Sequence, residues 1–171
     1  MTKEVKFNKR RILLTIIIAI IMFCVSISLV LKPEVYSRGI YNKTVIEILG
    51  GFFALYLIAL IYSLFQIYLR KYAFLIADDF FIDNSRYESL GKIDWKNINE
   101  VQKIKKNSLQ LNLNKNVIEN SNMNLIQKFL SIMKNWNYKD SIIVSTTLTQ
   151  ISRDKLLDEI LNVLQNQKNY S

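Results

Sequence analysis

Two long apolar runs dominate the hydrophobic pattern of the N-terminal part of the chain. Ile12–Leu31 is twenty residues without a charged side chain, and Val45–Leu69 carries only Glu47, near its start. At about 1.5 Å of rise per residue, a helix of this length crosses a hydrocarbon core of roughly 30 Å. The pattern therefore predicts a transmembrane hairpin over residues 12–69, with helices 12–31 and 45–69.

A cleaved signal peptide explains the first run less well. Its apolar stretch exceeds the roughly 7–15 residues of a signal-peptide core, and no clean small-residue cleavage site follows. Cys24 follows Phe23, whereas lipoprotein processing needs a small residue there, so the sequence predicts an inert buried thiol. Glu47 is interpreted as marking the edge of the second span.

Small side chains within both runs predict close helix packing, within the hairpin or in a homodimer. They form one patch on each helix: Thr15, Ala19, Met22 and Ser26 on the first, and Gly50, Gly51 and Ala54 on the second.

Basic residues flank the hairpin more densely than they occupy its loop. The positive-inside rule therefore predicts a multi-pass protein of the bacterial inner membrane with both termini cytoplasmic. Residues 1–11 are expected to be a basic cytoplasmic tail, and residues 70–171 a cytoplasmic domain. The flanking cations are predicted to contact anionic lipid: Lys3, Lys6, Lys9, Arg10, Arg11, Arg70 and Lys71.

Beyond residue 71 the pattern changes to the alternation of half-buried strands. Tyr72–Ala77 and Phe80–Ile82 surround the acidic turn Asp78-Asp79, which predicts a β-hairpin. Further strands are predicted at Ser89–Trp95, Leu109–Leu113 and Ser141–Leu148.

Two segments of the domain have helical periodicity. Asn122–Trp136 predicts an amphipathic helix, which either packs on the sheet or lies on the membrane surface. Ser152 is the expected N-cap of a final helix whose apolar stripe docks on the core and whose tail frays after Gln165. The fold class is therefore α+β, with a curved antiparallel sheet closed by a C-terminal helix.

Composition narrows the possible chemistry. The 171 residues include no histidine, one cysteine and four glycines, with a net charge of +9. These counts argue against Cys/His zinc sites, Ser-His-Asp triads and Cys-His dyads, and no phosphate-binding glycine motif is present. The basic charge is spread along the chain, so no nucleic-acid partner is expected. We expect a protein without catalytic activity, metal or cofactor.

Three features are candidates for binding. Trp95 is either a core aromatic or a ligand contact, with the core favoured. One lysine cluster is either a partner or phosphate contact or a solvated loop: Lys103, Lys105 and Lys106. One set of acids either holds a cation or caps hairpin ends: Asp78, Asp79 and Asp83.

Several of these segments resemble the bacterial pleckstrin-homology-like (PH-like) proteins with two N-terminal transmembrane helices. The resemblance lies in Asp78–Ile82, in the Gly-x-Ile-x-Trp-x-x-Ile pattern of Gly91–Ile98, and in Ser152–Leu157. It implies a partly open antiparallel β-barrel capped by a C-terminal helix and tethered under the membrane, without catalysis. Eukaryotic relatives often bind inositol phosphates through a basic loop. The corresponding turn here is acidic, so that ligand is not implied.

Two functions are compatible with these features. The first is a membrane-anchored module that binds a protein partner, a second copy of itself or anionic lipid at the cytoplasmic face of the bilayer. The alternative is an immunity protein that protects its own cell against a toxin acting at the envelope.

Overall fold

The structure, a computed structural model, describes residues 2–37, 42–114 and 141–170. The chain divides into two compact units, Lys9–Leu69 and a second unit made of Met1–Asn8 together with Arg70–Ser171. The helix predicted at 122–136 lies outside the described residues.

The first unit is helical, with α1 at Lys9–Leu31, a short α2 at Pro33–Tyr36 and α3 at Lys43–Leu69. The two predicted helices are confirmed, although each begins slightly earlier than its apolar run. Pro33 occupies the start of α2, where its missing N–H leaves no helix hydrogen bond unmade. Both long helices have the length and composition to cross a membrane.

Small residues bring α1 and α3 close together. Ala19 and Ser26 are buried on α1, and Gly50 and Ala54 are buried on α3. A Cβ added to Gly50 would lie 2.9 Å from the Leu29 Cβ, so the backbones approach too closely for a side chain here.

Other residues of the predicted patches lie away from this contact. A Cβ at Gly51 would have no neighbour within 4 Å, and Met22 is exposed. Cys24 is also exposed on the surface of α1, so the chain itself does not bury this thiol.

Within the described residues, the second unit combines two antiparallel sheets with one helix, and these sheets do not form a closed barrel. The first sheet has the order β1-β2-β3-β4, and the second the order β5-β6-β7. The strands are β1 Lys3–Val5, β2 Phe74–Ile76, β3 Phe80–Asp83, β4 Gly91–Asp94, β5 Ile98–Lys105, β6 Ser108–Leu113 and β7 Ser141–Ser145. A 3₁₀ turn at Trp95–Asn97 joins β4 to β5, so the predicted strand 89–95 is shorter than expected.

Strand β1 corrects the prediction that residues 1–11 are a tail. Lys3 is paired with Ile76 and Val5 with Phe74, which makes β1 a member of the first sheet. Val5 and Phe7 are buried at 6% and 1% exposure. The domain therefore begins before the hairpin, and both long helices are inserted in the sequence between two paired strands.

The core of the second unit is aromatic in the first sheet and aliphatic in the second. Phe81 contacts both Phe74 and Trp95, with ring centroids 5.8 Å apart in each pair. Trp95 is 1% exposed, and its indole N–H donates to the Ala77 carbonyl at 2.8 Å. The core interpretation of this residue is confirmed.

The last helix, α4, covers part of this core. It spans Arg153–Tyr170 and buries Leu156 and Ile160 completely. The Ser152 hydroxyl accepts the Lys155 backbone N–H at 3.3 Å, which confirms the predicted N-cap. The helix continues past Gln165, so the predicted fraying is wrong for the residues up to Tyr170.

Candidate functional site

Arg70, a predicted lipid contact, is instead held by the domain. Its half-buried guanidinium donates to the carbonyl oxygens of Asn84, at 2.7 Å, and of Arg86. Burial lowers the pKa of Arg70, while the nearby carboxylates of Asp83 and Glu88 oppose that shift. The planar fork of arginine can serve several carbonyls at once, so this residue fixes the loop after β3.

Two other predicted lipid contacts form ion pairs within the same unit. The Lys71 ammonium lies 3.1 Å from a Glu4 carboxylate oxygen, and Lys3 pairs with Glu159. Exposed pairs of this kind add little stability, about 0–1 kcal/mol, so they can open for a competing ligand. Lys6 is exposed beside them on the same N-terminal segment.

Lys9, Arg10 and Arg11 occupy the first turn of α1, which contains no acidic residue. The Lys9 ammonium lies 4.5 Å from the centroid of the Tyr68 ring and also donates to the Tyr68 carbonyl. Arg10 and Arg11 are exposed. Cations at a helix N-terminus face the positive end of the helix dipole, which disfavours them by about 0.3–1 kcal/mol each.

The second predicted basic cluster lies on the β5–β6 hairpin. Lys103 and Lys105 belong to β5, and Lys106 is exposed in the following turn. The Lys103 ammonium lies 2.8 Å from Asp154 in the first turn of α4. Lys103 and Arg153 lower the pKa of Asp154 through hydrogen bonds. At least one lysine of the cluster therefore has a structural partner.

The three acids considered as cation ligands do not meet. Asp78 and Asp79 are exposed at the turn before β3, whereas Asp83 is buried at the opposite end of that strand. The Ser85 N–H donates to the Asp83 carboxylate at 2.8 Å. Burial raises the pKa of Asp83, although hydrogen bonds from Ser85 and the charge of Arg86 work against that shift. Among the described residues, no cluster of three metal-type ligands exists, so the cation interpretation is wrong.

A cleft of about 470 Å³ lies between the N-terminal segment and the start of α4. We call it the β1–α4 cleft, and its lining residues are Lys3, Glu4, Val5, Lys6, Gln150, Ile151, Ser152 and Lys155. Its two walls are joined through the main chain, because the Gln150 N–H donates to the Lys6 carbonyl at 3.1 Å. The Gln150 side-chain amide also donates to the Phe7 carbonyl, at 3.3 Å.

Sequence reasoning missed this cleft because it missed β1. The available signal was the alternation of buried Val5 and Phe7 with polar Glu4 and Lys6, which is the period of a strand. The density of basic residues around it favoured a tail instead. A second missed signal lay at Gln150, whose contacts with residues 6 and 7 no local pattern predicts.

Most large apolar side chains on the described surface of the second unit are only partly exposed. Leu161, at 37% exposure, is its one large hydrophobic residue classed as exposed in the described ranges. Protein-docking sites usually centre on buried aromatic or aliphatic anchors. The described part of this unit presents partly exposed apolar side chains, such as Leu75, Phe80 and Ile82, beside its charged ones.

Comparisons of this chain with protein-family models, with curated proteins and with solved structures find no match. The α+β architecture with antiparallel sheets and two long apolar helices follows from the structure itself. The resemblance to PH-like proteins stays a prediction.

Proposed function

We propose that this protein is a non-catalytic, membrane-anchored PH-like domain that binds anionic lipid headgroups at the cytoplasmic face of the bacterial inner membrane. The insertion of α1 and α3 between the paired strands β1 and β2 is the observation that carries this proposal. Because of this insertion, the chain passes between the domain and the helices twice, at Asn8–Lys9 and at Leu69–Arg70.

The pairing of β1 with β2 supports a hairpin topology. Strands that share a sheet lie on one side of a bilayer, so a membrane crossed by α1 must be crossed back by α3. Both termini then lie on the same side. The basic residues before α1 and after α3 favour the cytoplasm for that side.

The charges at the start of α1 support an anionic lipid ligand. Lys9, Arg10 and Arg11 lie at the positive end of the helix dipole, in a first turn that contains no acidic residue. An anionic leaflet contributes about 1 kcal/mol for each basic side chain near its surface, which is enough to offset that repulsion.

The order of elements supports the PH-like assignment. Two antiparallel sheets are followed by a C-terminal helix that buries Leu156 and Ile160 on the core. The antiparallel strands and the closing helix agree with what the sequence resemblance implies. The described strands lie in two sheets where the resemblance implies one partly open barrel, and the first strand precedes the hairpin.

Topology can be tested by labelling single cysteines in intact cells with a membrane-impermeant maleimide. The full chain would carry Cys24→Ser with a new cysteine at Ser37, after α2, or at Lys106, in the β5–β6 turn. The proposal expects labelling at position 37 in intact cells and at position 106 only after lysis. Labelling at position 106 in intact cells would contradict the cytoplasmic assignment.

Lipid preference can be tested by native mass spectrometry of the purified full chain with equal amounts of phosphatidylglycerol and phosphatidylcholine. We expect preferential retention of phosphatidylglycerol, reduced by Arg10→Gln with Arg11→Gln. The matched control is Lys92→Gln with Lys96→Gln, exposed residues of the sheet region that lose the same charge. Equal retention of both lipids would contradict a lipid ligand and favour a protein partner, which crosslinking in native membranes would identify.

A further inference from the structure

The β1–α4 cleft joins two segments that are far apart in the sequence. One wall comes from residues 3–6 and the other from residues 150–155. Because the Gln150 N–H is hydrogen-bonded to the Lys6 carbonyl, and Phe7 is paired with Thr149, the main chain fixes the spacing of the walls. The backbone positions on both walls are therefore held at a fixed separation, and side chains from both walls can contact one ligand.

Positive charge dominates this cleft. Three lysines line it against one acid, Glu4, whose carboxylate is paired with Lys71. Lys3 is engaged by Glu159. Lys6 and Lys155 are both exposed, and no salt bridge joins either of them to an acid within the described ranges. The local surplus of charge is therefore carried by one lysine on each wall.

Neutral polar groups add hydrogen-bonding capacity between these lysines. The Ser152 hydroxyl oxygen accepts the Lys155 backbone N–H, which leaves its own hydrogen able to donate. A lysine ammonium is a compact point charge with three donors, and phosphate is the group such charges commonly bind. The volume of about 470 Å³ accommodates a phosphate with an attached alcohol.

We propose that the β1–α4 cleft binds a phosphate-bearing anion, with Lys6 and Lys155 contacting the phosphate from opposite walls. This inference rests on the proposed role of the domain in binding anions, and it names the site. A lipid phosphodiester and a soluble phosphate share the chemistry that the cleft recognises. The experiment below distinguishes these two sources.

The test uses the full chain in maltoside detergent, with its lysines reductively ¹³C-methylated, a change that keeps their charge. Three probes are titrated separately: inorganic pyrophosphate, dioctanoyl phosphatidylglycerol and dioctanoyl phosphatidylcholine. We expect saturable shifts of the Lys6 and Lys155 signals with pyrophosphate or phosphatidylglycerol. Signals of Lys92 and Lys96, which are exposed elsewhere on the domain, are expected to stay unchanged.

The matched variants are Lys6→Gln with Lys155→Gln, and Lys92→Gln with Lys96→Gln as a control of equal charge. The cleft pair is expected to weaken binding about tenfold, since two exposed charge contacts together contribute roughly that factor. The control pair is expected to bind as the unaltered chain does. Both pairs change exposed side chains, and circular dichroism checks that each variant is folded.

The outcomes separate this proposal from the wider one. Pyrophosphate binding that depends on the cleft pair, without lipid binding, supports the cleft and contradicts a lipid ligand. Phosphatidylglycerol binding that survives loss of the cleft pair overturns the cleft and leaves the lipid function standing. Equal weakening by the control pair also overturns the cleft, because it indicates diffuse charge attraction. No saturable binding of either anion overturns the cleft proposal as well.

Discussion

The contact between α1 and α3 at Gly50 makes a sharp prediction about helix packing. A Cβ at this position would lie 2.9 Å from the Leu29 Cβ, 3.0 Å from the Val30 Cγ2 and 3.1 Å from the Ser26 carbonyl oxygen. Carbon atoms pack best at about 3.5–4.0 Å. Two of the obstructing atoms are a side-chain stem and a main-chain oxygen, so the helices themselves must move apart.

The neighbouring Gly51 provides the matched control, because a Cβ there meets nothing within 4 Å. Replacing either glycine by alanine brings the same gain in helix propensity. The difference between Gly50→Ala and Gly51→Ala therefore isolates the packing penalty. Overpacking of this kind typically costs about 1–3 kcal/mol, and we expect Gly50→Ala to be less stable than Gly51→Ala by that amount.

Stability of the hairpin can be measured by adding dodecyl sulfate to the chain in maltoside micelles. Energy transfer between dyes reports helix separation, with the dyes on cysteines at two exposed positions, Leu14 of α1 and Phe65 of α3, in a Cys24→Ser background. The Gly50→Ala variant should separate at a lower detergent fraction than the Gly51→Ala variant. Identical midpoints, or a lower midpoint for Gly51→Ala, would refute the packing argument.

Three further predictions concern the second unit and can be measured by urea unfolding of the full chain in detergent. Trp95→Phe leaves a buried carbonyl without its donor and should destabilise by about 1–3 kcal/mol, whereas an unchanged midpoint would contradict the role of the indole hydrogen bond. Burial raises the pKa of Asp83 above its ordinary 3.8. Protonated Asp83 therefore contributes its full stability below pH 3.8, and this stability is lost as the pH rises through the pKa of Asp83 in the folded protein. Asp83→Asn should therefore gain stability relative to the parent from pH 4 to pH 7, and a pH-independent difference would count against this assignment. Arg70→Lys removes the paired hydrogen bonds to carbonyl oxygens and should lower the free energy of unfolding by about 1–3 kcal/mol. Lys71→Gln breaks only an exposed ion pair and should lower it by about 0–1 kcal/mol. Equal losses for the two variants would argue against the role of the arginine fork.

Local patterns were sufficient to predict most elements of this fold. Twenty uncharged residues in succession predict α1, and the strict alternation of Leu109, Leu111 and Leu113 predicts β6. The pattern at Ser152 predicts the start of α4 in the same way. In each case the residues that determine the element lie within it or directly beside it.

Sequence reasoning did not predict α2 or β5, and it also missed β1, which depends on distant residues. β1 has only three residues, and its partner strand follows both helices. Five basic residues in the same segment gave a competing signal for a juxtamembrane tail. The role of Lys3 was missed because its partner Glu159 is remote in the sequence. The role of Arg70 was missed because the loop that it contacts, Asn84–Arg86, has no recognisable sequence pattern. Long-range pairing of this kind is visible only in three dimensions.

The position of β1 also has a consequence for biosynthesis. Val5 leaves the ribosome long before its partner Phe74, with the whole of α1 and α3 synthesised in between. At about 5–20 residues per second, the 69 residues from Val5 to Phe74 take about 3–14 s to synthesise. The first sheet can therefore form only after both helices have been made. A completed domain therefore indicates that the hairpin has been synthesised. In a chain whose hairpin is interrupted, β1 lacks its partner strand.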